Sequence, residues 1–137
     1  MVISDLKLES NTVYKNDNCG IYLKQLHQKS NNFKFLCRDN HVSDTSNGSG
    51  IVLSDVGINI TNCKFDRNIE HGIVIDSSEH PMPVRILQYE VKEFLKRKPL
   101  KVVIQDCEIY YNNMNGIFVK DFWKGPVIIH ECLMVGN

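Results

Sequence analysis

The 137-residue chain has no long apolar run, no charge excess and no paired-cysteine motif. Each lack closes a class of function. No stretch is apolar for long enough to span a bilayer. Sixteen basic residues balance sixteen acidic ones, so the formal net charge is zero. Nucleic-acid binding draws its affinity mainly from neutralised phosphates, and a polybasic membrane anchor needs clustered charge of one sign. Neither is expected here. The opening MVISDLKLES lacks a basic segment followed by an apolar core, so it does not read as a signal peptide. Cys19, Cys37, Cys63, Cys107 and Cys132 form no CxxC pair and have no histidine at zinc-ligand spacing. No metal and no cofactor is expected. An odd set of thiols among apolar neighbours reads as small buried side chains, which argues for a reducing, intracellular compartment. The sequons at Asn47 and Asn59 are short, common motifs and weigh less than the thiols.

What the chain does have is a sentence written more than once. NCKFDRNIEHGIVID, from Asn62, returns as DCEIYYNNMNGIFVK, from Asp106. A frame of apolar-x-apolar-x-x-Cys-x-apolar-x-x-Asn fits Ile58, Ile60, Cys63, Phe65 and Asn68. It fits Val102, Ile104, Cys107, Ile109 and Asn112, and again Val127, Ile129, Cys132, Met134 and Asn137. Ile3, Leu6, Leu8 and Asn11 fit with a leucine in the cysteine place. Phe35, Cys37 and Asn40 match its last three places more loosely. A second half, Gly-Ile-x-apolar, begins at Gly20, Gly50, Gly72 and Gly116.

Each apolar pair has period two and so predicts a short strand with one face inward. The gaps between pairs are too short for crossover helices. Three short strands in a unit of about 25 residues predict one rung of an all-β right-handed parallel β-helix, a solenoid of about five rungs. Like residues then stack on like residues: Cys63, Cys107 and Cys132 in one column, Asn68, Asn112 and Asn137 in another. Asparagine tolerates the left-handed backbone of a corner, and its amide can bond to the rungs on either side. Glycine before the isoleucine is expected to relieve a further corner.

These repeats resemble the right-handed parallel β-helix repeat family, the pectin-lyase-like superfamily, over most of the chain outside 77–99. In style they are similar to the β-helix repeats of F-box-only adaptor proteins and Shc SH2-domain-binding proteins. That resemblance implies protein recognition within a larger intracellular assembly, cytoplasmic or cytoskeletal and ciliary. No F-box helices are seen.

Residues 77–99 break the repeat. VRILQYEVKEFLKRK puts Val84, Leu87, Val91, Phe94 and Leu95 on one stripe, and Pro99 ends it. One inserted amphipathic helix is predicted. In the Gly-Ile-x-apolar strands the outward residues are Tyr22, Val52, Val74 and Phe118. An apolar column on a solvated face usually buries against something, either the inserted helix or a protein partner. Phe122 and Trp123 extend that candidate binding surface. Lys7, Lys64 and Glu108 form a solvated outward column, ending at Leu133. End rungs without capping helices are expected to need cover, from further rungs of a longer solenoid or from partner subunits.

Candidate chemistry is sparse. Asp66, Arg67, Glu70 and His71 lie close along the chain, and Asp55, Asp76 and Asp121 follow the third strands. The superfamily resemblance implies carbohydrate cleavage by clustered carboxylates, with Asp66, Arg67 and His71 as the residues to carry it. The hallmark Asn-Thr-Asp and Asp-Asp motifs are absent. His27, His41, His80 and His130 share no metal-binding spacing. The sequence therefore favours a non-enzymatic scaffold for protein partners over a polysaccharide lyase or glycoside hydrolase.

Overall fold

The computed structural model describes residues 6–24, 35–77, 100–121 and 123–137. The first rung holds β1 (Leu6–Glu9), β2 (Thr12–Tyr14) and β3 (Ile21–Lys24). The second holds β4 (Phe35–Arg38), β5 (His41–Ser43) and β6 (Ile51–Ser54). The third holds β7 (Ile58–Thr61), β8 (Lys64–Asp66) and β9 (Ile73–Asp76). The fourth holds β10 (Val102–Gln105), β11 (Glu108–Tyr110) and β12 (Ile117–Val119), and the fifth β13 (Val127–His130) and β14 (Leu133–Val135). The strands stack into three parallel sheets: β1-β4-β7-β10-β13, β2-β5-β8-β11-β14 and β3-β6-β9-β12. This is a parallel β-helix, as the repeat predicts.

Alternation places one side of every strand inward. Ile60, Ile104, Phe65, Ile109, Ile51, Ile73, Leu53 and Ile75 are all 0 % exposed. Burial of each such side chain is worth roughly 1.5–3 kcal/mol, and the columns make one continuous core. Two of the corners in every rung turn through a left-handed residue. Ser10, Asp39, Asn62, Asp106 and Glu131 have positive φ at the first, and Lys15, Asp44, Arg67, Tyr111 and Gly136 at the second. In each case the next residue points into the core.

The third, fourth and fifth rungs follow the predicted frame. The first two are displaced within it. Leu6 pairs with Phe35, and Cys37 pairs with Ile60, so these are members of the first sheet. Asn40 falls beside Cys63, because His41 pairs with Lys64. Thr45 then takes the place of Asn68, whose side-chain oxygen it meets at 3.4 Å. The reason is physical: both corners accept asparagine after a left-handed residue, so Asn11 and Asn40 of the first corner read as asparagines of the second. Lys7 consequently pairs with Leu36. The column of Lys64 and Glu108 continues through His41 and Thr12.

The glycines before isoleucine are required by close approach, not by a left-handed corner. A Cβ on Gly72 would sit 2.7 Å from the Gly116 carbonyl oxygen, and one on Gly50 would sit 2.7 Å from that of Gly72. Ile3 and the inserted helix expected over 77–99, save Ser77, lie outside the described residues. So does Phe122.

Candidate functional site

Among the described residues, the outer face of the second sheet carries varied chemistry. One column runs Thr12, His41, Lys64, Glu108, Leu133. Its neighbour runs Tyr14, Ser43, Asp66, Tyr110, Val135. Beside them, along the first corner, lies an open cleft of about 390 Å³ lined in part by Asp39, His41, Asn62, Lys64, Asp106 and Glu108. Asp39, Asn62 and Asp106 are corner residues with φ of 57°, 51° and 51°. Short polar side chains suit that backbone region, so the rim of the cleft is acidic and amide-rich for conformational reasons. The Asn62 amide donates to Asp39 Oδ1 at 2.6 Å.

Asp66 and Arg67, expected to act together, are brought together, and a third residue joins them. The Asp66 side chain is 2 % exposed. Its Oδ1 lies 2.5 Å from His41 Nε2. Its Oδ2 pairs with Arg67 Nη1. The Arg67 fork then holds Asp44 through Nε at 2.9 Å and Nη2 at 3.0 Å. Hydrogen bonding to that guanidinium holds the Asp44 carboxyl below its ordinary range, and Asp44 raises Arg67 in return. A buried carboxylate is costly unless paired and hydrogen-bonded, and both oxygens of Asp66 are. The chain Asp44–Arg67–Asp66–His41 thus cross-braces the second and third rungs. Lys64 is the next member of the His41 column, with its Nζ 5.8 Å above the Tyr110 ring.

His71 stands apart from this cluster. It is 8 % exposed, stacks on Phe118 with centroids 4.7 Å apart, and its Nδ1 accepts from the Asn115 backbone N–H at 3.1 Å. Burial holds its pKa below the ordinary value. Nor do the carboxylates after the third strands converge with Asp66. Asp76 pairs with Lys120 at 3.5 Å, and the Ser77 hydroxyl donates to Asp55 Oδ1 at 2.6 Å. His41 is the member of this cluster that spacing alone misses. Its signal lies in the register: two places before Ser43 in one strand, it falls diagonally across from Asp66.

The predicted apolar column exists on the third sheet: Tyr22, Val52, Val74 and Phe118 are register partners. It is uneven. Tyr22 is 54 % and Phe118 36 % exposed, whereas Val74 is 5 % exposed. Trp123 is half-buried and packs against the core. The thiols of Cys63, Cys107 and Cys132 and the amides of Asn68, Asn112 and Asn137 occupy their two columns as predicted, and all five cysteines are free. Among the described residues no three His, Cys, Asp or Glu side chains are placed to hold a metal ion, and no helix is long and apolar enough to cross a membrane.

No curated protein is a significant match to the chain. Among solved structures, a point mutant of the periplasmic alginate epimerase AlgG matches in fold, with a TM-score of 0.70 at 17 % identity. The match covers 93 % of this chain and 27 % of that one, so the chain spans about a quarter of the epimerase. The intracellular placement drawn from the free thiols, and the cytoplasmic or cytoskeletal and ciliary one implied by the repeat resemblance, are contradicted by this comparison, since the similar structure is a periplasmic enzyme. The thiol argument fails physically as well. Cys37, Cys63 and Cys107 are at most 2 % exposed, and the neighbouring Cys63 thiol together with burial keeps Cys37 and Cys107 raised in pKa. Burial of this kind keeps the Cys37 and Cys107 thiols protonated and unreactive, so their being free says little about the compartment. The family model for the right-handed β-helix region matches residues 2–86, more than half of the sequence, and the chain belongs to that family.

Proposed function

We propose that the protein is a carbohydrate-active β-helix that lays a sugar chain along the outer face of its second sheet. The observation that carries this reading is the cleft of about 390 Å³, where His41, Lys64, Asp39, Asp106 and Glu108 converge from three successive rungs. Rungs repeat every 4.7–4.9 Å or so, and an extended polysaccharide parallel to the coil axis meets a new side chain of the column at each step. Tyr14 offers a ring face for pyranose stacking, and Lys64 offers a cation to an acidic sugar. The fold shared with an alginate epimerase supports an acidic polysaccharide as the first class to test.

The test is titration of the isotope-labelled chain with defined oligomers of mannuronate, guluronate, galacturonate and neutral glucose, followed by backbone NMR. Shifts are expected at residues 39–44, 62–67 and 106–111 with an acidic oligomer, weakened by Lys64→Ala. Shifts confined to the third sheet, or none with any oligomer, would refute the reading. A protein-contact role is the second reading, favoured by the exposure of Tyr22 and Phe118. It predicts a partner footprint on the third sheet instead.

A further inference from the structure

We propose that the peptide unit between Asn47 and Gly48 is a self-modifying site, where the asparagine amide is lost to water and the chain becomes isoaspartyl. The inference stands apart from the carbohydrate reading. The sequence holds two Asn-Gly pairs, Asn47–Gly48 and Asn115–Gly116. Glycine has no Cβ to shield its backbone nitrogen, so either pair can react in the same way. The glycine nitrogen gives up its proton and attacks the asparagine side-chain carbon. A C–N bond forms, ammonia leaves, and a cyclic imide closes. Water then opens the imide at one carbonyl or the other, leaving aspartate or isoaspartate. Both Asn47 and Asn115 are exposed, so solvent reaches each of them. The fold decides between them.

Ring closure needs the peptide unit after the asparagine to swivel until its nitrogen meets the side-chain carbon. In the fourth rung that unit is held. The Asn115 carbonyl accepts from the Gly72 N–H at 3.0 Å, and the Asn115 N–H donates to His71 Nδ1 at 3.1 Å. In the second rung neither the Asn47 carbonyl nor the Gly48 N–H bonds to any described residue. The ties lie on either side of it. The Ser46 N–H donates to the Asn16 carbonyl at 2.8 Å. The Gly48 carbonyl accepts from the Glu70 N–H at 3.2 Å and from Thr45 Oγ1 at 2.5 Å. One free peptide unit therefore sits between tied neighbours. Isoaspartate routes the chain through the side chain and adds a carbon to the backbone between those ties. There is no slack on the inner side, since even a Cβ on Gly48 would sit 2.9 Å from the Cys19 nitrogen. The added carbon strains the bond from Gly48 to the third rung. The loop also gains a carboxylate near Glu70, whose own carboxylate meets the Ser49 hydroxyl at 3.4 Å. Loss of ammonia runs one way, so this tie between rungs loosens as the molecule ages.

The test holds the full chain at mildly alkaline pH, folded in one sample and unfolded in guanidinium chloride in another. Each is then digested, and peptide mass spectrometry with electron-transfer fragmentation separates asparagine, aspartate and isoaspartate. In the folded chain Asn47 is expected to lose its amide about fivefold faster than Asn115, the factor for one hydrogen bond of ordinary net strength. In the unfolded chain the two rates are expected to converge, because each asparagine then has only its glycine neighbour. Equal rates in the folded chain, a faster Asn115 or no loss at Asn47 overturns the proposal. So does a preference for Asn47 that survives unfolding, since it would come from flanking residues and not from the fold. Asn47→Gln keeps an amide but disfavours ring closure. Backbone NMR of aged samples is expected to show shifts at Cys19, Gly48 and Glu70 in the unmodified protein and none in Asn47→Gln. Equal shifts in both would overturn the link between the modification and the loosened rung.

Discussion

The residue that follows each left-handed corner points into the core at two places in every rung, and the two columns differ in chemistry. At the second corner the column runs through Asn68, Asn112 and Asn137. Asn112 Oδ1 accepts from the Asn68 backbone N–H at 3.1 Å, and its amide donates to the Phe65 carbonyl at 3.1 Å. At the first corner the upper rungs use the same device. Asn40 Oδ1 accepts from the Asn11 N–H at 2.9 Å, and its amide donates to the Leu8 carbonyl at 2.7 Å. From the third rung onward the first corner changes to thiols. Cys107 Sγ lies 3.7 Å from the Ile60 carbonyl oxygen, and Cys132 Sγ 3.5 Å from that of Ile104. One backbone geometry therefore accepts either a strong, two-way amide or a weak, one-way thiol. The difference teaches that the left-handed turn shapes the corner, and that the column residue decides how firmly neighbouring rungs are tied.

The largest effect should come from moving the weak chemistry into the strong column. Asn112 is 1 % exposed. Asn112→Cys leaves the Asn68 N–H without its acceptor and the Phe65 carbonyl with a feeble donor. Each buried group left unmet costs about 1–3 kcal/mol, so a total near 3 kcal/mol is expected in urea unfolding. An effect under about 1 kcal/mol would show that the amide column is not what ties the rungs. Cys107→Ala is the reciprocal test in the weak column. It removes a small buried side chain and a poor hydrogen bond, and about 1–2 kcal/mol is expected. Equal losses at the two sites would erase the distinction between the columns.

That equivalence of corners also explains what was legible in the sequence. The fold was, because Ile58, Val102 and Val127 recur with the same cysteine, asparagine and period-two neighbours. The register of the first two rungs was not. Asn40 makes at the first corner the bonds that Asn112 makes at the second, so a residue-type frame cannot tell the corners apart. The spacing between equivalent residues also varies, 29, 23, 44 and 25 residues for successive rungs, which gives a frame no fixed step. The site inherited the error. Asp66 and Arg67 are adjacent and visible, but His41 reaches Asp66 only once His41 is laid over Lys64. His71, four residues after Arg67, turns instead into the stack with Phe118.

A third corner group answers the same need with a titratable ring. The Asn115 N–H donates to His71 Nδ1, which requires a neutral imidazole. Burial lowers its folded-state pKa from 6.5. A base whose pKa is lower in the folded state contributes stability that is fully present above the unfolded value. That stability is lost as pH falls through 6.5 toward the folded value. Unfolding free energy should therefore fall as pH drops below about 6.5, and the slope should flatten in His71→Gln. An unchanged slope in the variant would assign the acid sensitivity elsewhere, and would leave the amide and thiol columns indifferent to pH.

The smallest change isolates solvent from chemistry. Asn137 occupies the Asn112 place one rung further on, accepting from the Asn112 N–H at 3.0 Å and donating to the Ile109 carbonyl at 2.8 Å. The bonds are equivalent, yet the fifth rung is open: Ile129 and Met134 are each 46 % exposed. Water can take over the partners that Asn137→Ala releases, so the loss should be about 0.5–1 kcal/mol, the net worth of hydrogen bonds exchanged with solvent. Set against Asn112→Cys, the gap between the two measures what dryness adds to one hydrogen-bond pattern. A loss at Asn137 as large as that at Asn112 would mean that the fifth rung is covered in solution, and small-angle scattering of the same sample would reveal the larger particle.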